Sequence, residues 1–372
     1  MATIPDQRPH RPIRVMLVDD SATEIYLLKK VFALAGDMEV VATAMNGREA
    51  LALLPQVQPD VVCTDYHMPV MDGLEFIIHA MREYPCTILV MSVAVQSFQK
   101  ENIFRLLSAG AVDVLAKPVG QVGGIGTAEG LQLVEKIRAI AQAPSLRQRL
   151  AQPHPETTRL NAPVTTPRVE PVSLSTRINL VALGASTGGP QVLQGILSQL
   201  PANFPVPLVC VQHISAGFMD GMISWLGASC SLRVEAARMG IMPEPGHIYF
   251  APDGHHLLLD VWRRFRFVTC RSQDLHCPGI DTLLESVAQV YGPASLGVLL
   301  TGMGRDGAQG LKAMRDTGAP TIVQDEGTSV IFGMPAAAIA LGAAKYILPG
   351  DAIAAMMIRL SSLGRLADPS RG

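Results

Sequence analysis

Short apolar runs of strand length alternate along the chain with longer stretches in which apolar side chains return every three or four positions. Up to residue 141 the runs are Ile13–Val18, Glu39–Thr43, Asp60–Thr64, Thr87–Ser92 and Ala111–Ala116. Amphipathic stretches such as Ala22–Leu34 and Phe98–Ala109 separate them, and Leu133, Val134, Ile137 and Ile140 form one stripe of a closing helix. This βα alternation predicts a parallel sheet with helices on both faces. It resumes with strands at Ile178–Leu183, Val206–Gln212, Ser295–Leu300, Pro320–Gln324 and Ala344–Leu348. Between Gly246 and Cys270 the pattern is strand alternation with turn-like breaks, which predicts an antiparallel hairpin excursion. The expected fold class is therefore α/β, with two doubly wound parallel-sheet domains and a β-hairpin excursion in the second.

The stretch Pro144–Ser173 holds six prolines, no aromatic residue and no sustained apolar period, so it cannot bury enough surface to order itself. The expected boundaries are an N-terminal tail 1–12, a first domain 13–141, a proline-rich linker 142–175, a second domain 176–365 and a C-terminal tail 366–372. A length of 372 residues lets each domain bury its own core. Hydrophobic residues at 48% and charged residues at 17% exclude a disordered chain.

Net charge is −4 over residues 1–140, +2 over 141–175 and zero over 176–372. A total of −2 leaves no basic footprint for nucleic acid or an anionic membrane. The N-terminus lacks the apolar core of a secretory signal, and the stretch 330–344 is too short to span a bilayer and is broken by Gly333 and Pro335. A cytoplasmic protein without membrane insertion is expected. The six cysteines form no C-x-x-C pair, and several sit in apolar runs such as VVC and LVC, so all six read as reduced packing residues rather than zinc ligands.

In the first domain, Asp19 and Asp20 follow the first strand, Asp65 ends the third, Ser92 the fourth, and Lys117 follows the fifth. A parallel sheet gathers these positions at its carboxyl edge, where ligands of open α/β folds bind. Three carboxylates there repel one another unless a cation binds, and an all-oxygen set suits Mg²⁺. One carboxylate can then take a phosphoryl group whose oxygens Ser92 and Lys117 bind.

In the second domain the strand INLVAL runs into Gly184-Ala185-Ser186-Thr187-Gly188, a G-x-S-x-G turn that exposes a serine oxygen beside a helix N-terminus. A phosphate-cradling G-x-G-x-x-G loop needs glycine where Ser186 stands. The strand PLVCVQ ends at His213, and SLGVLL leads to TGMGRDG, where Asp306 is placed either to orient an imidazole or to cap the next helix. The chain order Ser, His, Asp differs from the Ser, Asp, His of the common hydrolase fold with this motif.

VDDS, TDYHMPVMDG and AKP resemble the receiver domain of two-component response regulators, a flavodoxin-like fold, over about residues 13–141. The resemblance implies Asp65 as phospho-acceptor, Asp19, Asp20 and Asp65 as the Mg²⁺ site, and Ser92 and Lys117 as the phosphate switch. Three features depart from the common pattern: Val114 where an aromatic is frequent, His67 two positions after Asp65, and the glycine-rich stretch after Pro118. GASTGGP, VQHI and LLTGMGRDGAQG resemble the Rossmann-like catalytic domain of the chemotaxis protein-glutamate methylesterases, the CheB family. Ser215 stands where that family usually has proline.

This second resemblance implies Ser186 as nucleophile, His213 as base, Asp306 as its orienting carboxylate, and Thr187 and Met303 as oxyanion contributors. It further implies a phosphorylation-activated esterase needing no cofactor for the ester step. Methyl-accepting chemoreceptors would be its substrates, with glutamine deamidation as a second activity, and a chemotaxis-type histidine kinase its phosphodonor. The alternatives are a response regulator whose C-terminal domain has become a binding module, and a serine amidase acting on other proteins.

Overall fold

A computed structural model of the chain describes residues 11–92, 100–117, 128–142, 176–271 and 273–363. The N-terminal tail up to residue 10, the linker from 143 to 175, the C-terminal tail 366–372 and residues 118–127 of the glycine-rich stretch lie outside the described residues. The chain divides into two compact units.

The first unit carries strands β1 (Ile13–Val18), β2 (Met38–Ala44), β3 (Val61–Asp65), β4 (Ile88–Ser92) and β5 (Asp113–Ala116). They form one sheet in the order β2-β1-β3-β4-β5, parallel throughout. β3 and β4 are buried along their whole length, as expected where helices cover both faces. The helices start where side chains can cap them: Ser21, Asn46 and Asp72 each accept from the backbone N–H three residues on. These starts hold the β1 and β3 carboxyl ends, and so Asp19 and Asp65, at one edge.

The second unit has a seven-stranded sheet in the order β14-β13-β12-β6-β7-β9-β8, again all parallel. β6 (Leu180–Ala185), β7 (Leu208–Gln212) and β12 (Ser295–Leu299) lie at its centre and are fully buried. β13 (Thr321–Gln324) and β14 (Tyr346–Leu348) extend one side, β9 (His247–Phe250) and β8 (Arg233–Ala236) the other. The helix Ile280–Tyr291 packs Ile280, Leu283, Leu284 and Val287 into this core with no exposure. Burying one such side chain stabilises by roughly 1.5–3 kcal/mol, so the start of this helix is firmly anchored.

Two expectations are corrected here. The hairpin excursion is shorter than the 246–270 stretch: β10 (His255–Leu259) and β11 (Phe265–Thr269) make the antiparallel pair, while β9 joins the main sheet in parallel. β9 and β8 lengthen that sheet beyond the five expected strands. The runs HIYF and RVEA are short, and their pairing is decided by non-local contacts, β9 with β7 and β8 with β9. The second correction concerns the cysteines. Cys63, Cys86, Cys210 and Cys230 are thiols, but Cys270 and Cys277 form a disulfide across a sequence separation of 7. The return of the chain from β11 to the buried start of helix Ile280–Tyr291 brings their Cα atoms to 6.0 Å, within bonding reach.

Candidate active site and phosphate switch

At the carboxyl edge of the first sheet, Lys117 Nζ donates to Asp19 Oδ2 at 2.7 Å and to Asp65 Oδ2 at 2.8 Å. Asp19, Asp65, Ser92 and Lys117 are all buried, and Asp20 is exposed beside them. Asp19, Asp20 and Asp65 each offer a carboxylate oxygen, and these oxygens lie within 4.8 Å of one another. The Ser21 N–H fixes Asp19 through Oδ1 at 2.9 Å, and the Tyr66 N–H fixes Asp65 through Oδ1 at 2.6 Å. Burial pulls the Lys117 ammonium down, but its bonds to Asp19 and Asp65 outweigh this and hold it above its ordinary value. Lys117 offsets only one of three negative charges, and the remaining oxygen donors fit a small hard cation such as Mg²⁺. Val114 is buried in β5, and His67 is exposed with its ring 4.3 Å from that of Tyr66.

In the second sheet, Ser186 directly follows β6 and His213 directly follows β7. The Ser186 N–H donates to Thr301 O at 3.0 Å and the His213 N–H to Ala185 O at 3.0 Å, which ties the two positions to adjacent strand ends. Gly188, at φ 76°, turns the chain into the helix Gly189–Leu197 in a left-handed conformation that a side chain would strain. After β12 the chain runs so close to the serine that a Cβ on Gly302 would stand 2.6 Å from Ser186 Cβ.

Asp306 accepts from His213 Nε2 at 2.8 Å through Oδ2. The same carboxylate accepts three backbone N–H groups: Ile280 on Oδ2 at 2.8 Å, Asp281 on Oδ1 at 2.9 Å and Gly307 on Oδ1 at 3.0 Å. Burial pushes this carboxyl up, but the bonds from His213, Asp281 and Ile280 prevail and keep it well below the usual carboxylate range. Asp306 is thus an ionised acceptor that faces Nε2 of His213, so that nitrogen carries a proton toward it and Nδ1 is the nitrogen left for other partners. It does not cap the following helix, whose N-cap is Gly307. The backbone N–H groups of Thr187 and Met303 make no hydrogen bond among the described residues and stay available as donors.

Several contributors carried no sequence signal of their own. Gln212 is fully buried, and its Nε2 donates to Ser186 O and His213 O, both at 2.8 Å. Thr301 Oγ1 donates to Thr187 O at 3.0 Å, and Gln324 Oε1 accepts from the Thr301 N–H at 2.8 Å. His276 lies on His213 with ring centroids 4.6 Å apart and planes 10° from parallel. Gln212 sits in the VQHI run already singled out, but the partners of its amide become visible only in three dimensions. Ser215 is half-buried and Arg305 exposed. No helix among the described residues is long and apolar enough to cross a membrane.

Residues 181–357 match the family model described as CheB methylesterase, and residues 15–123 match the response regulator receiver domain. A protein-glutamate methylesterase/protein-glutamine glutaminase from Syntrophus aciditrophicus is 37% identical over 94% of this chain and 98% of its own length. A second protein so named, from Anaeromyxobacter dehalogenans, is 40% identical over 92% of this chain and 95% of its own. Among solved structures, the CheB methylesterase catalytic domain of Thermotoga maritima is 36% identical, covering 50% of this chain and 100% of that one, with a TM-score of 0.48.

Proposed function

The chain belongs to the CheB methylesterase family and joins its hydrolase domain to a response regulator receiver domain, and on that premise we propose Ser186, His213 and Asp306 as the catalytic triad. The observation that supports this most is the 2.8 Å bond from His213 Nε2 to Asp306, whose carboxylate is fixed by three further N–H groups. A carboxylate so held keeps the imidazole in one tautomer and steadies the imidazolium that forms during turnover. A C-terminal domain that only bound a partner would have no use for such an arrangement.

The substrate class is a glutamyl methyl ester on a chemoreceptor. Ser186 Oγ attacks the ester carbonyl while His213 Nδ1 takes its proton, and the N–H groups of Thr187 and Met303 bind the oxyanion. Methanol leaves with the proton returned by His213. Water, deprotonated by the same nitrogen, then releases the glutamate. With a glutamine side chain the leaving group is ammonia, the second activity for which the relatives are named. Ser186 Oγ makes no bond to the His213 ring among the described residues, and such contacts commonly tighten only when substrate orders the site.

Phosphorylation regulates this hydrolase through the receiver. Asp65 is the proposed acceptor of a phosphoryl group from a histidine kinase, with Lys117 and Ser92 binding its oxygens. Asp19, Asp20 and Asp65 would hold Mg²⁺, which supplies the charge neutralisation an incoming phosphoryl group requires. The proposed setting is the cytoplasm, with neither nucleic acid nor lipid as partner.

Labelling with a fluorophosphonate, which reacts with activated serines, tests the assignment. Peptide mapping is expected to place one adduct on Ser186 in the wild type and none in His213→Ala. An adduct elsewhere, with esterase activity lost in step, would overturn it.

A further inference from the structure

The segment 276–281 touches both members of the His213–Asp306 pair. At one end the His276 ring stacks on His213, and at the other the N–H groups of Ile280 and Asp281 hold Asp306. The Ile280 end is anchored by a fully buried side chain. The His276 end is anchored by its neighbour Cys277, bonded to Cys270 just after β11.

Among the described residues, hydrogen bonds further hold this loop. Asp274 Oδ2 accepts from the Arg271 N–H at 2.7 Å and from His256 Nε2 at 3.1 Å, and the Gly279 N–H donates to His256 Nδ1 at 2.9 Å. That last bond occupies the Nδ1 lone pair, so the His256 proton lies on Nε2, toward Asp274. His256, Cys270 and Asp274 therefore cluster as an anchor and not as a metal site, since both ring nitrogens of His256 are engaged and the Cys270 sulfur is committed to the disulfide. Burial and the neighbouring His213 hold the His276 imidazole below its ordinary value, so at neutral pH an uncharged ring lies on His213.

We propose that His276 is a positioning residue for the esterase and that the Cys270–Cys277 disulfide sets it. With the bond closed, the His276 ring keeps His213 in line with Asp306; with the bond open, that support is lost and turnover slows. Both cysteines are half-buried and so within reach of a reductant, whereas Cys63 and Cys210 are buried thiols. Opening takes a dithiol. One of its thiolates attacks a cysteine sulfur, the S–S bond breaks, and its second thiol resolves the mixed disulfide. Two electrons and two protons pass to Cys270 and Cys277, and the dithiol ends as a disulfide.

This inference rests on reading His213 as the base. The test measures methanol release from methylated receptor membranes by the full chain, oxidised and then reduced with dithiothreitol, with the state of Cys270 and Cys277 read by mass spectrometry. Reduction is expected to lower kcat roughly tenfold or more with little change in KM, reversibly, because a small misplacement of a catalytic ring acts on turnover. Cys270→Ser/Cys277→Ser is expected to match the reduced wild type in both states. His276→Ala should be slow in both, and His276→Phe, which keeps a flat ring, should recover most of the rate. Equal wild-type rates in the two states would overturn the inference while leaving the esterase reading intact. Absence of methanol release in either state would overturn both. The wild-type redox cycle decides the matter even if the serine variant does not fold.

Discussion

Asp306 engages His213 through Nε2, which leaves Nδ1 as the basic nitrogen of the ring. The Asp306→Asn variant tests this, because an amide can present an N–H to Nε2 and so favour the wrong tautomer. A loss of about 10⁴-fold in kcat is expected, on the scale seen when a triad aspartate becomes asparagine. Methanol-release kinetics at saturating substrate check it.

Arg305 is exposed and adjacent to Asp306, and we propose that it guides an acidic receptor helix to the site. Arg305→Ala is expected to raise KM severalfold at low salt with kcat unchanged, and the difference should shrink as salt screens the attraction. A KM series across ionic strength checks it.

Asp281 makes a pH-dependent contribution to stability. Burial, with Asp306 and Glu285 adding repulsion, pushes its carboxyl up to about 6 from an ordinary 3.8. A raised folded-state value means that the contribution is fully present below about 3.8 and is lost as pH climbs toward 6. Asp281→Asn keeps an oxygen for the Gly310 N–H, now bonded to Oδ1 at 2.7 Å, without the charge. The variant is therefore expected to be more stable than wild type above pH 6, with the gain vanishing below about pH 4. Urea midpoints at the two pH values measure this.

The receiver cluster predicts a dependence on both a phosphodonor and a divalent cation. A small-molecule phosphodonor with Mg²⁺ is expected to raise methanol release by the wild type, and EDTA to remove the rise. Asp65→Asn should keep the basal rate and lose the response. Lys117→Ala should weaken the response, since it removes the cation now bonded to Asp19 and Asp65.

Much of this was legible in the chain because strand ends in parallel sheets face one edge. Asp19, Asp65, Ser92 and Lys117, and likewise Ser186, His213 and Asp306, could be placed together from their positions after apolar runs alone. What stayed hidden depends on pairing at a distance. β8 and β9 are too short to announce a parallel partner. Gln212 reads as one more polar residue at a strand end, and the Ile280 and Asp281 N–H groups have no side-chain signature. Motif spacing carries no sign of the Cys270–Cys277 bond, because it is the return of the chain from β11 into a buried helix start that brings the two cysteines together.

Ser186 is proposed as the nucleophile of a glutamyl ester hydrolase, with His213 as its base. Methanol release from methylated receptor membranes by Ser186→Ala and His213→Ala, measured beside wild type with folding verified by circular dichroism, tests it most directly. Each variant is expected to lose about 10⁴-fold or more, and the double variant little beyond either single one, because the residues act as a unit. Turnover by folded Ser186→Ala within tenfold of wild type would show that another residue is the nucleophile.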